Sequence, residues 1–469
     1  MAHPSVQTAA SGQERLRPGE VAARLDRLPL SGWHWRLALI TQATYGFIIS
    51  LDASAGRLYP FVWEPAGTIT PLEYTILYMT QVGIGLLLGE WLFGFLSDRI
   101  GRRRTLMLAI IVSGVFFAGV AFSANFIYQM FCSGISAMGV GGMLAINVVY
   151  MQEIAPPRIR ARVSQGSQAL GLLISGLGAG LLASFLFPGY YREWIFVLAG
   201  FALLVNLPLV GFGLPESPRW LEVKGHDAQA IASLERIERR VSKNGRIALP
   251  EPDLEDHLVT ESEKVPLREL FSREFMGRNL LLASCWTLIY AGSVYGFYQY
   301  IGVFLVEKGL STPAIFLVTA IGSSIGGVAA LLVLAALGER VERKTSIFAG
   351  SLLFACGLLI MAVTGNAVVA GAGAVLAFMS MSVMFTNLYL YTANAYPTRL
   401  RSLGTGWTDG FGHNGAIWGP FVATALFSLS AGGWGWIAWC ALPGALVPGM
   451  LMMAFGKKQR GVSLESLTD

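Results

Sequence analysis

The sequence predicts an all-α membrane protein of twelve transmembrane helices in two six-helix bundles, with both termini in the cytoplasm. Three observations carry this. A dozen apolar runs each approach the ~20 residues that a helix needs to cross a bilayer. The basic residues sit almost wholly in alternate connections between the runs, and the last six runs repeat the charge landmarks of the first six. Composition agrees, since 54% hydrophobic and 13% charged residues with a mean hydropathy of +0.55 are too apolar for a soluble chain of this length.

Taken in order, a polar arm at 1–35 carries Arg15, Arg17, Arg24 and Arg27. It has no short apolar core followed by a small-residue cleavage site, so no removable signal peptide is expected and the first span serves as its own insertion signal. The first bundle, 36–213, contains runs at 36–58, 73–96, 104–123, 126–151, 163–187 and 193–213. A charged central loop occupies 214–278. The second bundle, 279–455, contains runs at 279–305, 313–337, 346–364, 367–392, 403–428 and 433–455, and a tail at 456–469 closes the chain. Of the 34 Lys and Arg, only Arg57, Arg192 and Lys308 fall on the odd-numbered connections. Because basic loops are retained in the cytoplasm, the chain is expected to be a multi-pass protein of a cell membrane, a bacterial inner membrane first of all. The net charge of +5 then reports topology, and no nucleic-acid partner is expected.

Several chemistries lack their residues. Cys132, Cys285, Cys356 and Cys440 lie within apolar runs, where they act as small hydrophobes. The glycine-rich stretches at 139–142, 171–180 and 322–327 follow no strand, so they read as close helix packing and not as phosphate loops. No nucleophile–base arrangement, metal-ligand spacing or nucleotide motif is present, so neither an enzyme nor a cofactor or metal site is expected. The central loop shows a helical period over 228–241 and a break at Pro250 and Pro252, which fits short surface helices.

The repeat has a motif. After the second run the chain reads Gly94-Phe-Leu-Ser-Asp98-Arg99-Ile-Gly101-Arg102-Arg103-Arg104, and after the eighth Leu337-Gly338-Glu339-Arg340-Val-Glu342-Arg343-Lys344. A carboxylate at a helix end, a tight turn and basic residues can pair with neighbouring helices and close a gate. Asp98, Arg99, Arg102 and Arg103, with Glu153 and Arg160 as partners, form the first candidate gate; Glu339, Arg343, Arg399 and Arg401 form a degraded second.

These motifs resemble the major facilitator superfamily over nearly the whole chain. Glu153-Ile-Ala-Pro156-Pro-Arg158-Ile-Arg160 and Pro215-Glu216-Ser217-Pro218-Arg219-Trp220 are similar to the sugar-porter pattern. Tyr396-Pro397-Thr398-Arg399-Leu-Arg401-Ser-Leu-Gly404-Thr-Gly406-Trp407 resembles the branch that holds aromatic-acid/proton symporters, niacin carriers and synaptic-vesicle-protein relatives. The resemblance implies the major facilitator fold, alternating access, a small-molecule substrate and a monomer. Asp52 aligns with the first-span Asp that sugar/proton symporters protonate, yet their fourth-span Arg falls on Ser133. Their seventh-span double-Gln motif is replaced by Tyr290-Ala-Gly-Ser-Val-Tyr295-Gly-Phe-Tyr298-Gln299-Tyr300, which disfavours a hexose porter.

Charge inside a span costs about 2.5–3.5 kcal/mol at the helix centre, so each such residue is a candidate for function. Asp52, Glu90 and Asp409 are the proton-coupling candidates. Glu90 lies eight residues before Asp98, roughly 12 Å deeper and within about 80° of the same face. Asp409 and His413 share a face at i and i+4. Candidate substrate ligands are Arg57, Asn147, Tyr295, Tyr298, Gln299, Asn387, Tyr391, His413 and Asn414, with Asn394 continuing the polar stripe of span ten. Each has a plainer alternative: Asp52 satisfied by backbone or Arg57, Glu90 and Asp409 as a gate bond without titration, His413 as a neutral hydrogen-bonding residue. The expected activity is proton-coupled symport of a small organic acid. A sugar, polyol or organic-cation carrier, or an exporter, is the alternative, because acids outnumber bases in the spans.

Overall fold

In a computed structural model the described residues are 20–41, 79–123, 125–156, 191–252, 267–298, 300–330, 341–396, 401–429 and 436–459, with a few isolated positions elsewhere. Among them the regular structure is all helical. Backbone N–H and C=O groups in hydrocarbon must be satisfied within the segment, and a helix does so. Eight helices are long and apolar enough to cross a membrane: α2 (Met79–Ile100), α3 (Arg102–Val120), α4 (Phe126–Ile154), α5 (Glu193–Gly213), α8 (Arg273–Tyr298), α9 (Thr312–Ala330), α10 (Arg343–Val363) and α11 (Ala367–Asn394). Of the other predicted runs, 36–58 and 163–187 lie largely outside the described residues. The run 403–428 is interrupted, with α12 (Arg401–Gly412) and α13 (Gly415–Leu429) joined by a turn at His413 and Asn414. The last is α14 (Trp436–Phe455).

The internal repeat extends to the caps. Asn125 accepts from Tyr128 N–H (3.0 Å) to start α4, and Asn366 accepts from Val368 and Val369 N–H (2.9 and 3.2 Å) to start α11. The fourth and tenth spans thus begin with the same device, an Asn oxygen filling backbone donors that lack a helical partner. Helices α2, α3, α4 and α5 pack together, and α8 to α14 form a second group. The groups meet where the start of α2 crosses α13.

Three small helices cover one end. They are α1 (Glu20–Asp26), α6 (Pro218–Val223) and α7 (Asp227–Val241). The predicted 228–241 period is α7, which buries Ala230, Leu234, Ile237 and Val241 while Glu235, Arg236, Arg239 and Arg240 stay exposed. Helix α1 buries Val21 and Leu25 against α6 and α7.

The contact that shapes the second group lies between α8 and the broken span. A methyl on Gly412 would sit 2.5 Å from Trp286 Cβ, on Gly415 2.6 Å from Thr287 O, and on Gly419 2.7 Å from Ala291 O. The backbones therefore touch, as small residues permit between helices in a membrane. Within this contact, from Tyr290, α8 widens into a π-helical stretch over Tyr290–Tyr298, a form found often at functional sites. Gly415→Ala is expected to destabilise the fold by about 1–3 kcal/mol through overpacking. Gly200→Ala, which meets nothing within 4 Å, should stay within about 0.5 kcal/mol of the parent. Thermal unfolding of both in the same detergent checks this, and equal midpoints would refute the tight contact.

Candidate functional site

Where α8, α11 and α12 converge, Asp409 is held by two phenols. Tyr290 Oη donates to Asp409 Oδ1 (2.9 Å) and Tyr389 Oη to Oδ2 (3.0 Å), with the two hydroxyls 3.2 Å apart. Tyr290 is buried by a stack: Trp286 lies 5.5 Å from it on one side and Tyr295 5.6 Å on the other, with planes within 27°. Phe385 closes the stack edge-on, and the His413 ring lies 4.4 Å from Tyr290. Each such aromatic pair is worth about 0.5–1.5 kcal/mol beyond its buried area, so the two phenols are fixed before anything binds. Asp409 thus accepts from both phenols, and a protonated carboxyl there could instead donate to one of them, leaving that phenol's own O–H free.

Glu90 reaches this place from the other group of helices. Its carboxyl is within electrostatic range of both His413 and Asp409. Two carboxyls and one imidazole thus lie within electrostatic range of one another near the meeting of α2 and the broken span. The break itself supplies polarity, because Ala416 N–H bonds His413 O (2.9 Å) in a tightened turn and Pro420 offers no N–H to the ladder. Interrupted spans with free backbone groups are where transporters place their binding sites.

At the end covered by α1, α6 and α7 the motif after α2 forms a charged knot. Gly101, at φ +103°, turns the chain where an L side chain would be strained. Arg102 donates to Asp98 (2.7 Å), Glu153 (2.7 Å) and Ser97 O (2.9 Å). Glu216 Oε1 accepts from the backbone N–H of Arg102 (2.7 Å), Arg103 (3.2 Å) and Ser217 (3.1 Å), so it caps α3 from a distant loop. Burial pushes the Glu216 carboxyl above its usual range, against these backbone donors. Trp220 Nε1 donates to Asp98 O (3.0 Å), and Arg219 bridges Glu153 O (2.9 Å) to Asp26 (2.6 Å). The arm is clasped in turn, with Arg24 and Arg27 both 2.6 Å from Glu238. At the second copy of the motif, Arg343 donates to Gln459 Oε1 (3.2 Å) and Lys344 to Gly456 O (2.9 Å), so the tail docks there.

Of the residues expected from sequence, Glu90, Asp409, His413 and Tyr295 come together, and Asn414 lies beside them with its amide on Thr287 Oγ1 (3.2 Å). Of the gate candidates, Asp98 and Glu153 are joined by Arg102, Arg103 binds Gly211 O, and Arg99 lies over the Phe95 ring (4.1 Å). Others are placed apart. Asn387 bonds its own turn at Val383 O (2.9 Å), Asn147 donates to Thr41 O (3.0 Å), Tyr298 meets Phe378 edge-on, and Tyr391 donates to Lys457 O (3.1 Å) at the tail. Asp52, Arg57, Arg160, Gln299, Glu339, Arg399 and the side chain of Arg401 lie outside the described residues. Sequence reasoning missed Tyr389, Trp286 and Phe385, which sit among many span aromatics with no local mark. It also missed Glu216 as a cap, although the Glu-Ser-Pro motif was in view.

The chain belongs to the Major Facilitator Superfamily, whose family model matches residues 37–420. It is therefore a multi-pass membrane transporter and not an enzyme. It is 26% identical to the inner membrane metabolite transport protein YdjE of Escherichia coli, over 96% of this chain and 98% of that one. It is 25% identical to the niacin transporter NiaP of Acinetobacter baylyi, over 96% and 99%. Its fold is that of the inward-open xylose transporter XylE of E. coli, with a TM-score of 0.69 over 92% of this chain and 97% of that one at 16% identity.

The arm clasp has a pH dependence of known sign. Burial pushes Glu238 up, but its hydrogen bonds and charge contacts with Arg24 and Arg27 outweigh this and hold it below the ordinary 4.5. The folded value being the lower, the clasp's stability is complete above 4.5 and is lost as pH falls through the lowered value. Hydrogen exchange of residues 20–27 should stay slow down to about that pH and rise below it, whereas Glu238→Gln should exchange fast throughout. Protection in that variant equal to the parent's would remove the clasp.

Proposed function

We propose that this protein is a proton-coupled symporter of a small organic acid, aromatic carboxylates first. It has twelve spans in two bundles (36–213 and 279–455), with the arm, central loop and tail in the cytoplasm of a bacterial cell. The observation that carries the reading is the meeting of Glu90, Asp409 and His413 beside the Trp286–Tyr290–Tyr295 stack. Flat aromatic faces suit a planar substrate, and the likeness to a niacin transporter over the full chain supports the same class.

The acids supply the coupling. A substrate carboxylate about 6 Å from one ionised carboxylate is repelled by roughly 3 kcal/mol at an effective dielectric of 20, about a hundredfold in affinity. Protonating Asp409 or Glu90 removes that repulsion, and a protonated Asp409 frees one tyrosine hydroxyl for the incoming acid. His413 supplies the cation, with Arg57 as a second. Asp52 is a further proton carrier on the sequence alignment. A specific observation favours one other reading, because two carboxyls ringed by Trp and Tyr faces also suit an organic cation.

Proteoliposomes with an imposed pH gradient separate the two. Labelled nicotinate or benzoate should accumulate when the outside is acidic, and nicotinamide and a quaternary ammonium should not; the reverse selectivity overturns the acid reading. Asp409→Asn should abolish uphill accumulation while substrate exchange persists, and His413→Ala should weaken the apparent affinity for the acid about tenfold. If Asp409→Asn leaves accumulation intact, Asp52→Asn and Glu90→Gln are next in order.

The knot around Arg102 is proposed to brace the outward-facing state. The Asp98 side chain is 73% exposed and Glu153 only 17%. An exposed pair contributes about 0–1 kcal/mol, whereas breaking a buried one costs about 3–5 kcal/mol. Glu153→Gln should therefore lower thiol labelling of extracellular cysteine reporters far more than Asp98→Asn does. Equal effects of the two would refute the ranking.

A further inference from the structure

A pocket of about 520 Å³ lies away from the acid cluster, between α8, the end of α11 and the end of α14. Its polar wall is cationic. Arg278 is fixed there by donating to Ala395 O and by lying 5.2 Å from the Phe275 ring, and it forms no ion pair among the described residues. Lys457 lines the same wall, its backbone anchored by the Tyr391 hydroxyl (3.1 Å). Asn394, where the first half's gate has the carboxylate Glu153, contributes a neutral amide. The acid that lines the pocket, Glu274, is exposed and pairs with neither cation. The rest of the lining is largely apolar and partly exposed, with Leu280 59% and Phe455 71% exposed.

We propose that this pocket binds the headgroup of an anionic phospholipid, with its phosphate on Arg278 and Lys457 and an acyl chain along Leu280, Leu451 and Phe455. Guanidinium and ammonium together match a phosphate, and basic pockets between spans on the cytoplasmic side are suited to anionic headgroups. The volume is in the range of about 300–1,000 Å³ typical of ligand sites. A soluble anion would leave the exposed apolar wall unused. Occupancy has a consequence, because the segment carrying Lys457 also docks on the second gate motif through Gly456 and Gln459. A bound lipid therefore holds the tail against the gate. The assignment rests on the cytoplasmic placement of this end proposed above.

Native mass spectrometry of the full-length protein, released from detergent and titrated with phosphatidylglycerol or phosphatidylcholine, tests it without any transport step. One phosphatidylglycerol should bind about tenfold more tightly than phosphatidylcholine, and Arg278→Gln/Lys457→Gln should abolish the preference. Lys457→Gln alone, which leaves the Arg278 anchor intact, should reduce it. Arg239→Gln/Arg240→Gln, on α7 away from the pocket, should not. Equal affinities for the two lipids, or a preference that survives in the pocket variants, overturns the proposal. Displacement of the lipid by excess inorganic phosphate overturns it in favour of a soluble anion. Lipid binding with failed acid uptake would sink the transport reading and leave this site standing.

Discussion

The backbone of α8 and that of the broken span α12–α13 touch at Gly412, Gly415 and Gly419, with no room for a single methyl between them. Tyr290 reaches Asp409 only because the helices are this close, and Trp286 can stack on Tyr290 only because α8 holds both on the side of that contact. The widening of α8 from Tyr290 onward and the turn at His413 and Asn414 begin at the same level. Helical irregularity in hydrocarbon is tolerated where protein or a polar cavity satisfies the freed groups. The site is built from that tolerance, with backbone dipoles, phenols and carboxyls gathered where two helices depart from regular geometry.

The placement of charge follows the same economy. Asp409 is surrounded by hydroxyl donors and aromatic faces and lies within reach of one imidazole. Among the described residues Asp409 is in no ion pair, whereas Glu153 is paired with Arg102 at 2.7 Å. The molecule thus divides its carboxylates into two kinds. Those near the α2–α3 turn are locked by Arg102 and by backbone N–H groups, while Asp409 in the broken span accepts from two tyrosine hydroxyls.

The charged knot around Arg102 draws on more of the chain than the turn motif that announces it. Glu216 arrives from the central loop to cap α3, Arg219 ties Glu153 to the arm through Asp26, and Glu238 clasps the arm through Arg24 and Arg27. Any motion that separates α2 from α3 or α4 therefore has to be followed by the three small helices. At the second copy the tail takes this part, with Gln459 and Gly456 in place of the loop. The two ends of the repeat share a charge pattern and differ in what braces it.

Sequence alone determined the all-helical membrane class, because hydrocarbon imposes one periodicity and one cost on charge that composition records directly. It also singled out Glu90, Asp409 and His413 as candidates, since charge is expensive where each lies. The Asp98–Arg102–Glu153 knot was legible because its residues form a local motif and its partner. What only the tertiary structure decided was company: that Tyr389, with no distinguishing neighbours in sequence, bonds Asp409, while Asn387, two residues earlier, turns back onto its own helix and Tyr391, two residues later, bonds the tail. A step of two residues along an α-helix rotates a side chain by about 200°, so such neighbours face opposite partners. Which face meets which helix is set by the packing of glycines and aromatics from segments more than a hundred residues apart.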